Sequence, residues 1–219
     1  MVLMINKYFF PYFMSRKKKT SISSIPMVFP TASIEQLENI IKSFEKGKYP
    51  AFAFLKDELI RNHINEMICL GIGDPCRFIS SRSQLSFIIA LKKEANISSI
   101  EFYDPDCCDS CLELLKTHGF SITPINLEGK YKFAERRAFF LPHCPLSLIN
   151  NLIRENTEFL SDMCLIVNSF AEQTRISLQN KQKPDLLENI SLAGLIEEFP
   201  LDFNADDCFD RLSLIFSKK

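Results

Sequence analysis

The residues best equipped for chemistry stand in small groups, each directly after an apolar run. His143 and Cys144 are adjacent, in Pro142-His143-Cys144-Pro145. An imidazole beside a thiol offers a general base, a nucleophile, a pair of metal ligands or an axial ligand for haem iron. The plainer alternative has His143 orienting a loop while Cys144 packs beneath the next helix. Gly71-Ile72-Gly73-Asp74 follows another apolar run, Met67–Leu70. Two glycines one residue apart permit a tight turn and let backbone approach a ligand, as at dinucleotide and S-adenosylmethionine sites. The third glycine of that fingerprint is absent, because Pro75, Cys76 and Arg77 follow, so a purely structural turn competes. Asp104 ends the run from Ser99, where an acid can accept hydrogen bonds from a ribose or, alternatively, cap the next helix or form a turn. Asn168 and Ser169 leave the run that starts at Met163.

Cysteines form a further group. Cys108-x-x-Cys111, next to Cys107, has zinc-ligand spacing. Yet Cys108, Cys111, Leu112 and Leu115 fall at i, i+3, i+4 and i+7, one apolar helix stripe in which cysteine acts as a small hydrophobe. No second C-x-x-C or H-x-x-x-H completes a tetrahedral set, so no metal is assigned. The 8 cysteines are irregularly spaced in a chain of 219 residues, long enough to fold without staples, and are expected to be free thiols in a reducing compartment.

Secondary structure must position these groups. A helix is predicted from near Ser33, whose hydroxyl can cap it, to Gly47, and a second through Phe52–Ile64. Strands are expected at 67–71, 99–104, 120–126, 137–141 and 163–168, with a return strand near 131–133. Helices are expected at 81–95, 107–118 and from Pro145 onward. Residues 172–189, which contain Pro184, read as a loop or lone helix, and 192–199 as a helical turn or two. Residues 211–216 alternate apolar and polar, as an antiparallel edge strand closing the sheet would. Strands alternating with helices imply right-handed crossovers. The expected fold is therefore α/β: a Rossmann-like, doubly wound, mostly parallel sheet with helices on both faces, after an N-terminal helical extension. In such a sheet ligands gather outside the carboxyl ends of the strands, which is where Gly71–Asp74, Asp104, His143–Cys144 and Asn168–Ser169 all lie.

Composition narrows the function classes. Hydrophobic residues make up 46% and charged residues 24%, ordinary for a soluble globular protein, and 20 phenylalanines suit a tightly filled core. A net charge of -1 gives no electrostatic excess toward nucleic acid or an anionic membrane, so neither is expected as a partner. Residues 1–30 read as a flexible extension rather than a secretory signal: Lys7 and Pro11 interrupt the apolar start, and the basic run Arg16–Lys19 follows it. That run reads as a solvated arm, with a nuclear address as the alternative. One domain is expected over 31–217.

Taken in order, several segments resemble the sensitivity-to-red-light-reduced family, the SRR-like domain. They are Gly71-Ile72-Gly73, Ser83-Gln84-Leu85 opening an apolar helix, Tyr103-Asp104-Pro105, Phe140-Leu141-Pro142-His143-Cys144-Pro145 with Leu148 and Asn151, Asn168-Ser169-Phe170, and Cys208-Phe209-Asp210. The similarity covers about 60–216. Val167 and Arg211 depart from the family pattern, which usually has smaller residues at both places. The resemblance implies a regulatory protein, linked to haem biosynthesis and circadian clock gene expression, in cytoplasm and nucleus, with protein partners. It implies no firm reaction, so an enzymatic role stays open and is not favoured. It also implies that Gln84, Asp104, His143 and Asn168 line a shared pocket, to which the spacing adds Gly71, Gly73, Asp74, Cys144 and Ser169. Two alternatives stand beside this one: a transferase using S-adenosylmethionine or a nucleotide, and a protein that binds haem directly through His143 or Cys144.

Overall fold

The computed structural model describes residues 31–181, 186–203 and 207–218; the expectations for residues 1–30 and Pro184 lie outside the described residues. The chain opens with α1 (Thr31–Glu45) and α2 (Pro50–Arg61), the second with proline in its first turn, where a missing N–H costs nothing. Then come β1 (Glu66–Leu70), α3 (Ile79–Glu94), β2 (Ser99–Tyr103), α4 (Asp109–Thr117) and β3 (Phe120–Ile122). β4 (Arg137–Leu141), α5 (Leu146–Arg154), β5 (Cys164–Asn168), α6 (Phe170–Gln179), α7 (Leu186–Leu192), β6 (Ile196–Pro200) and β7 (Leu212–Ser217) complete it.

These strands form one seven-stranded sheet in the order β3-β2-β1-β4-β5-β7-β6. β1 pairs in parallel with β2 and β4, β2 with β3, and β4 with β5. The last two strands are antiparallel: β7 lies between β5 and β6. Chain order reverses between β1 and β4, because β2 and β3 build outward on one side and β4 and β5 on the other. Register aligns the exits. Leu70 lies opposite Tyr103 and Leu141 opposite Val167, so Gly71, Asp104, Pro142 and Asn168 leave the sheet at one rim.

Alternate residues of a strand face opposite sides of a sheet. Met67 and Cys69 pack into one apolar cluster with Leu37, Phe52, Leu85 and Leu115 from α1 to α4. Ile68 and Leu70 pack into another with Ile149, Phe170 and Leu187 from α5 to α7. The first cluster is centred on Phe87, fully buried on α3, whose ring lies 5.0–5.6 Å from those of Phe44, Phe52, Phe140, Phe203 and Phe209. The two leading helices are therefore part of the core packing. Lys93 adds an ion pair to Glu45 at 2.6 Å, joining α3 to α1.

Several expectations need correction. Residues 131–133 form no strand, although Tyr131 and Phe133 are buried against Phe139. Their backbone is satisfied by one side chain instead: Phe133 N donates to Asn156 Oδ1 at 2.6 Å, and Asn156 Nδ2 donates to the Tyr131 carbonyl at 2.7 Å. Residues 196–200 are the edge strand β6, not a helical turn, and β7 is antiparallel as expected but interior. Within 172–189, α6 and α7 stand as two helices flanking a short connection. The first helix begins at Thr31, which puts Ser33 inside it rather than at its cap. Among the described residues no helix is long and apolar enough to cross a membrane.

Candidate functional site

Gly71 and Gly73 both hold left-handed backbone, at φ 72° and 86°, which side chains disfavour. Space excludes a side chain as well. A Cβ on Gly71 would sit 2.5 Å from Cys144 Sγ, and one on Gly73 2.8 Å from Ser81 Oγ. Gly71 thus lets the loop after β1 close against the loop after β4, and Gly73 lets it close against the first turn of α3. Asp104 locks the same loop from the other side. Its Oδ2 accepts from Gly73 N at 2.6 Å and its Oδ1 from Asp106 N at 2.7 Å. Burial pushes its carboxyl above the usual range, and those two backbone donors pull the other way.

His143 also holds left-handed backbone, at φ 55°. Asn168 fixes it there: Oδ1 accepts from His143 N at 2.6 Å, while Nδ2 donates to the Asp210 carbonyl at 3.1 Å and faces His143 Nδ1 at 3.3 Å. The amide orientation follows from the backbone donor, so Nδ1 of the ring is the acceptor. Nε2–H then donates to the Cys208 carbonyl at 3.1 Å. Gln84 Nε2 donates to that same carbonyl at 3.0 Å. Cys144, half-buried next to this clasp, points Sγ at the Leu70 carbonyl, 3.7 Å away. Burial first, and the Asp104 charge second, push its thiol up to about 12, which disfavours a nucleophilic thiolate.

Seven of the nine sequence-selected residues therefore meet at one rim, joined through Gly73–Asp104, Gly71–Cys144, His143–Asn168 and the carbonyl shared by Gln84 and His143. Two turn elsewhere. Ser169 caps α6, its Oγ accepting from Glu172 N at 3.1 Å. Asp74 accepts from Cys76 N at 2.8 Å and pairs with Arg77 at 3.2 Å. The hollow beside the rim, between Gly71, Tyr103, Gly129, Tyr131, Cys144 and Leu148, encloses about 10 Å³, no more than one water needs. A wider depression of about 270 Å³ lies at the opposite ends of the strands, against His63, Asn65, Asn96 and Arg136.

Sequence reading missed Cys76, Cys208 and Asn156. Cys76 joins the thiols of α4: its Sγ lies 2.9 Å from that of Cys108 and 2.8 Å from that of Cys111, which are 3.3 Å apart. Burial, then the neighbouring thiols, push the Cys76 thiol far above its ordinary range. For Cys111 the Cys107 thiol acts first and burial second. The signal was present in the strand logic: Cys76 follows the exit of β1, and Cys108 that of β2. The role of Cys208 is carried by its backbone carbonyl, which no residue pattern marks.

Fold and rim together define an α/β protein with a mostly parallel seven-stranded sheet and loops interlocked across its carboxyl ends. The chain belongs to the SRR1 domain family, whose model matches residues 33–216. It is similar to the SRR1-like protein of Drosophila melanogaster, 29% identical over 211 residues, covering 91% of this chain and 75% of the relative. It is similar also to the protein SENSITIVITY TO RED LIGHT REDUCED 1 of Arabidopsis thaliana, 27% identical over 191 residues, covering 80% and 70% respectively. The SRR1-like protein of Mus musculus is 30% identical over 108 residues, or 47% of this chain and 43% of that one. No solved structure matches.

Proposed function

We propose that this chain is a regulatory protein acting on haem biosynthesis and circadian clock gene expression, in cytoplasm and nucleus, through a Rossmann-like, doubly wound sheet. Its rim is a recognition surface for a small molecule or protein partner, not a reaction centre. One observation carries the non-catalytic part of this reading. The side-chain atoms at the exits that could act as acid or base are already engaged within the chain. Both His143 ring nitrogens, both Asp104 oxygens and both Asn168 side-chain atoms have partners. Engaged in this way these groups hold the loops to one another, and a role as acid or base at His143 would first require one of its bonds to open. Family membership over residues 33–216, and an Arabidopsis relative whose name refers to sensitivity to red light, support the regulatory role. The strand order and the two apolar clusters support the doubly wound description.

The decisive experiment removes the protein from its host and measures haem synthesis and the period of clock gene expression. Restoration by the wild-type chain but not by Asn168→Ala, at equal protein level, is the expected result; no change in either output refutes the role. In vitro, native mass spectrometry identifies a co-purified molecule. Thermal-shift screening with S-adenosylmethionine, NAD and nucleotides tests the transferase alternative, since ligand at about 100 times Kd adds roughly 2.7 kcal/mol. A Soret band on adding haem, lost in Cys144→Ala or His143→Ala, is the result that would favour direct haem binding instead.

A further inference from the structure

We infer that Cys76, Cys108 and Cys111, together with Asp74, form a binding site for one zinc ion. The ligand atoms of these four residues all lie within 4.8 Å of one another. Three sulfurs and one carboxylate oxygen are a donor set that a soft, tetrahedral divalent cation takes readily, and hard calcium or magnesium does not. With Zn–S near 2.3 Å, tetrahedral geometry sets sulfurs about 3.8 Å apart. The observed separations of 2.8 to 3.3 Å require each pair to spread by roughly 0.5–1 Å, within reach of side-chain rotation. Thiols crowding in this way stabilise each other little, since S–H is a weak donor and sulfur a weak acceptor. A shared cation gives them a strong common partner.

A disulfide is the competing use of these sulfurs, and the geometry does not select one. Cys76 lies almost equally far from Cys108 and Cys111, at 2.9 and 2.8 Å, so no pair stands out from the third member. Charge provides an independent argument. Three thiolates and a carboxylate around a 2+ ion leave a net charge of about 2−, which needs positive neighbours. Arg82 is buried, and its guanidinium donates to the Pro75 and Cys76 carbonyls at 2.9 and 3.3 Å. Among the described residues no carboxylate lies within ion-pair distance of Arg82, while Arg77 stands on the outer side of Asp74 at 3.2 Å. A buried, uncompensated cation held against the loop that carries Cys76 fits an anionic metal cluster beside it.

All four positions of such a site are filled by protein, the mark of structural zinc rather than catalytic zinc. Loading passes up to three thiol protons to solvent and moves no electrons. The ion would tie the loop after β1 to the first turn of α4. Cys108-x-x-Cys111 looks half complete in sequence because its other two ligands come from that earlier loop.

The test uses the full chain, purified with a non-thiol reductant from zinc-supplemented medium and equilibrated against a weak chelator. Elemental analysis should return one zinc per chain. Cobalt substitution should give sulfur-to-cobalt charge-transfer bands and tetrahedral d–d bands. Cys108 occupies the N-cap of α4, where serine is a preferred residue, so Cys108→Ser should keep the fold and its far-ultraviolet circular dichroism. The same variant should weaken zinc binding at least about 100-fold, the upper range for losing even an outer-shell partner. Cys164→Ala, at a buried thiol on β5, should bind zinc as the wild type does. Substoichiometric zinc in the wild type, unchanged affinity in Cys108→Ser, or a disulfide between any two of the three cysteines found by peptide mapping would each overturn the assignment.

Discussion

Consider Gly71→Ala. The added methyl meets Cys144 Sγ at 2.5 Å, on backbone at φ 72°. Two costs follow, and they are separable. Left-handed backbone costs a residue with a Cβ about 1–2 kcal/mol wherever its neighbours lie. Overpacking against sulfur adds about 1–3 kcal/mol, less whatever a shift of the thiol recovers. The single variant should therefore lose about 2–5 kcal/mol, a large part of the stability of a domain this size. Cys144→Ala alone deletes one sulfur and should cost about 1 kcal/mol. In the double variant the clash has no partner, and only the backbone cost and the lost sulfur remain. Urea unfolding of all four proteins gives the coupling energy, expected at about 1–3 kcal/mol in favour of the double variant. Additive losses, within about 0.5 kcal/mol, would mean that the loops after β1 and β4 do not touch across the strand reversal. The rim as described would then be wrong, whatever the function.

Other consequences are as direct. Phe87→Ala should cost about 3–5 kcal/mol by urea unfolding, because five rings from α1, α2, β4 and the C-terminal segment pack on it. Asn168→Ala removes the acceptor of His143 N and the donor to Asp210, and should cost about 2–3 kcal/mol. Ser169→Ala should cost only about 1 kcal/mol, and Ser169→Asp should largely restore the cap. Asp104 has its carboxyl pKa raised in the folded state, so its favourable contribution is complete below the ordinary carboxylate range and fades as pH climbs through the raised value. The stability of Asp104→Asn relative to wild type should therefore improve from about pH 4 toward pH 7, read from urea midpoints; a constant difference would show that burial of the carboxylate is not the dominant influence.

The interior strands were legible because both faces are covered. β1, β4 and β5 are nearly unbroken apolar runs, and such a run has few other places to go. β6 was not legible. Its Ile-Glu-Glu-Phe-Pro has helix-like polarity, since an edge strand keeps charges and tolerates a terminal proline. Tyr131 and Phe133 failed in the opposite sense: their pattern signals burial, and burial is what they have. What satisfies their backbone is Asn156, 25 and 23 residues away, a partner that no local pattern announces. At the rim, the meeting of the exits could be read from strand ends alone. That His143, Asn168 and Gln84 engage each other and the Cys208 carbonyl could not, because backbone acceptors carry no residue signature.

That carbonyl has a consequence for the order of assembly. Gln84 and His143 both donate to a group that the ribosome adds long after them, and Phe44 on α1 meets Phe209 only then. Pairings this far apart in sequence form slowly. A nascent chain can therefore stack β1 to β5 before the Cys208 carbonyl exists to take the Gln84 and His143 donors. The clasp across the carboxyl ends of the strands is therefore among the last contacts the growing chain can make.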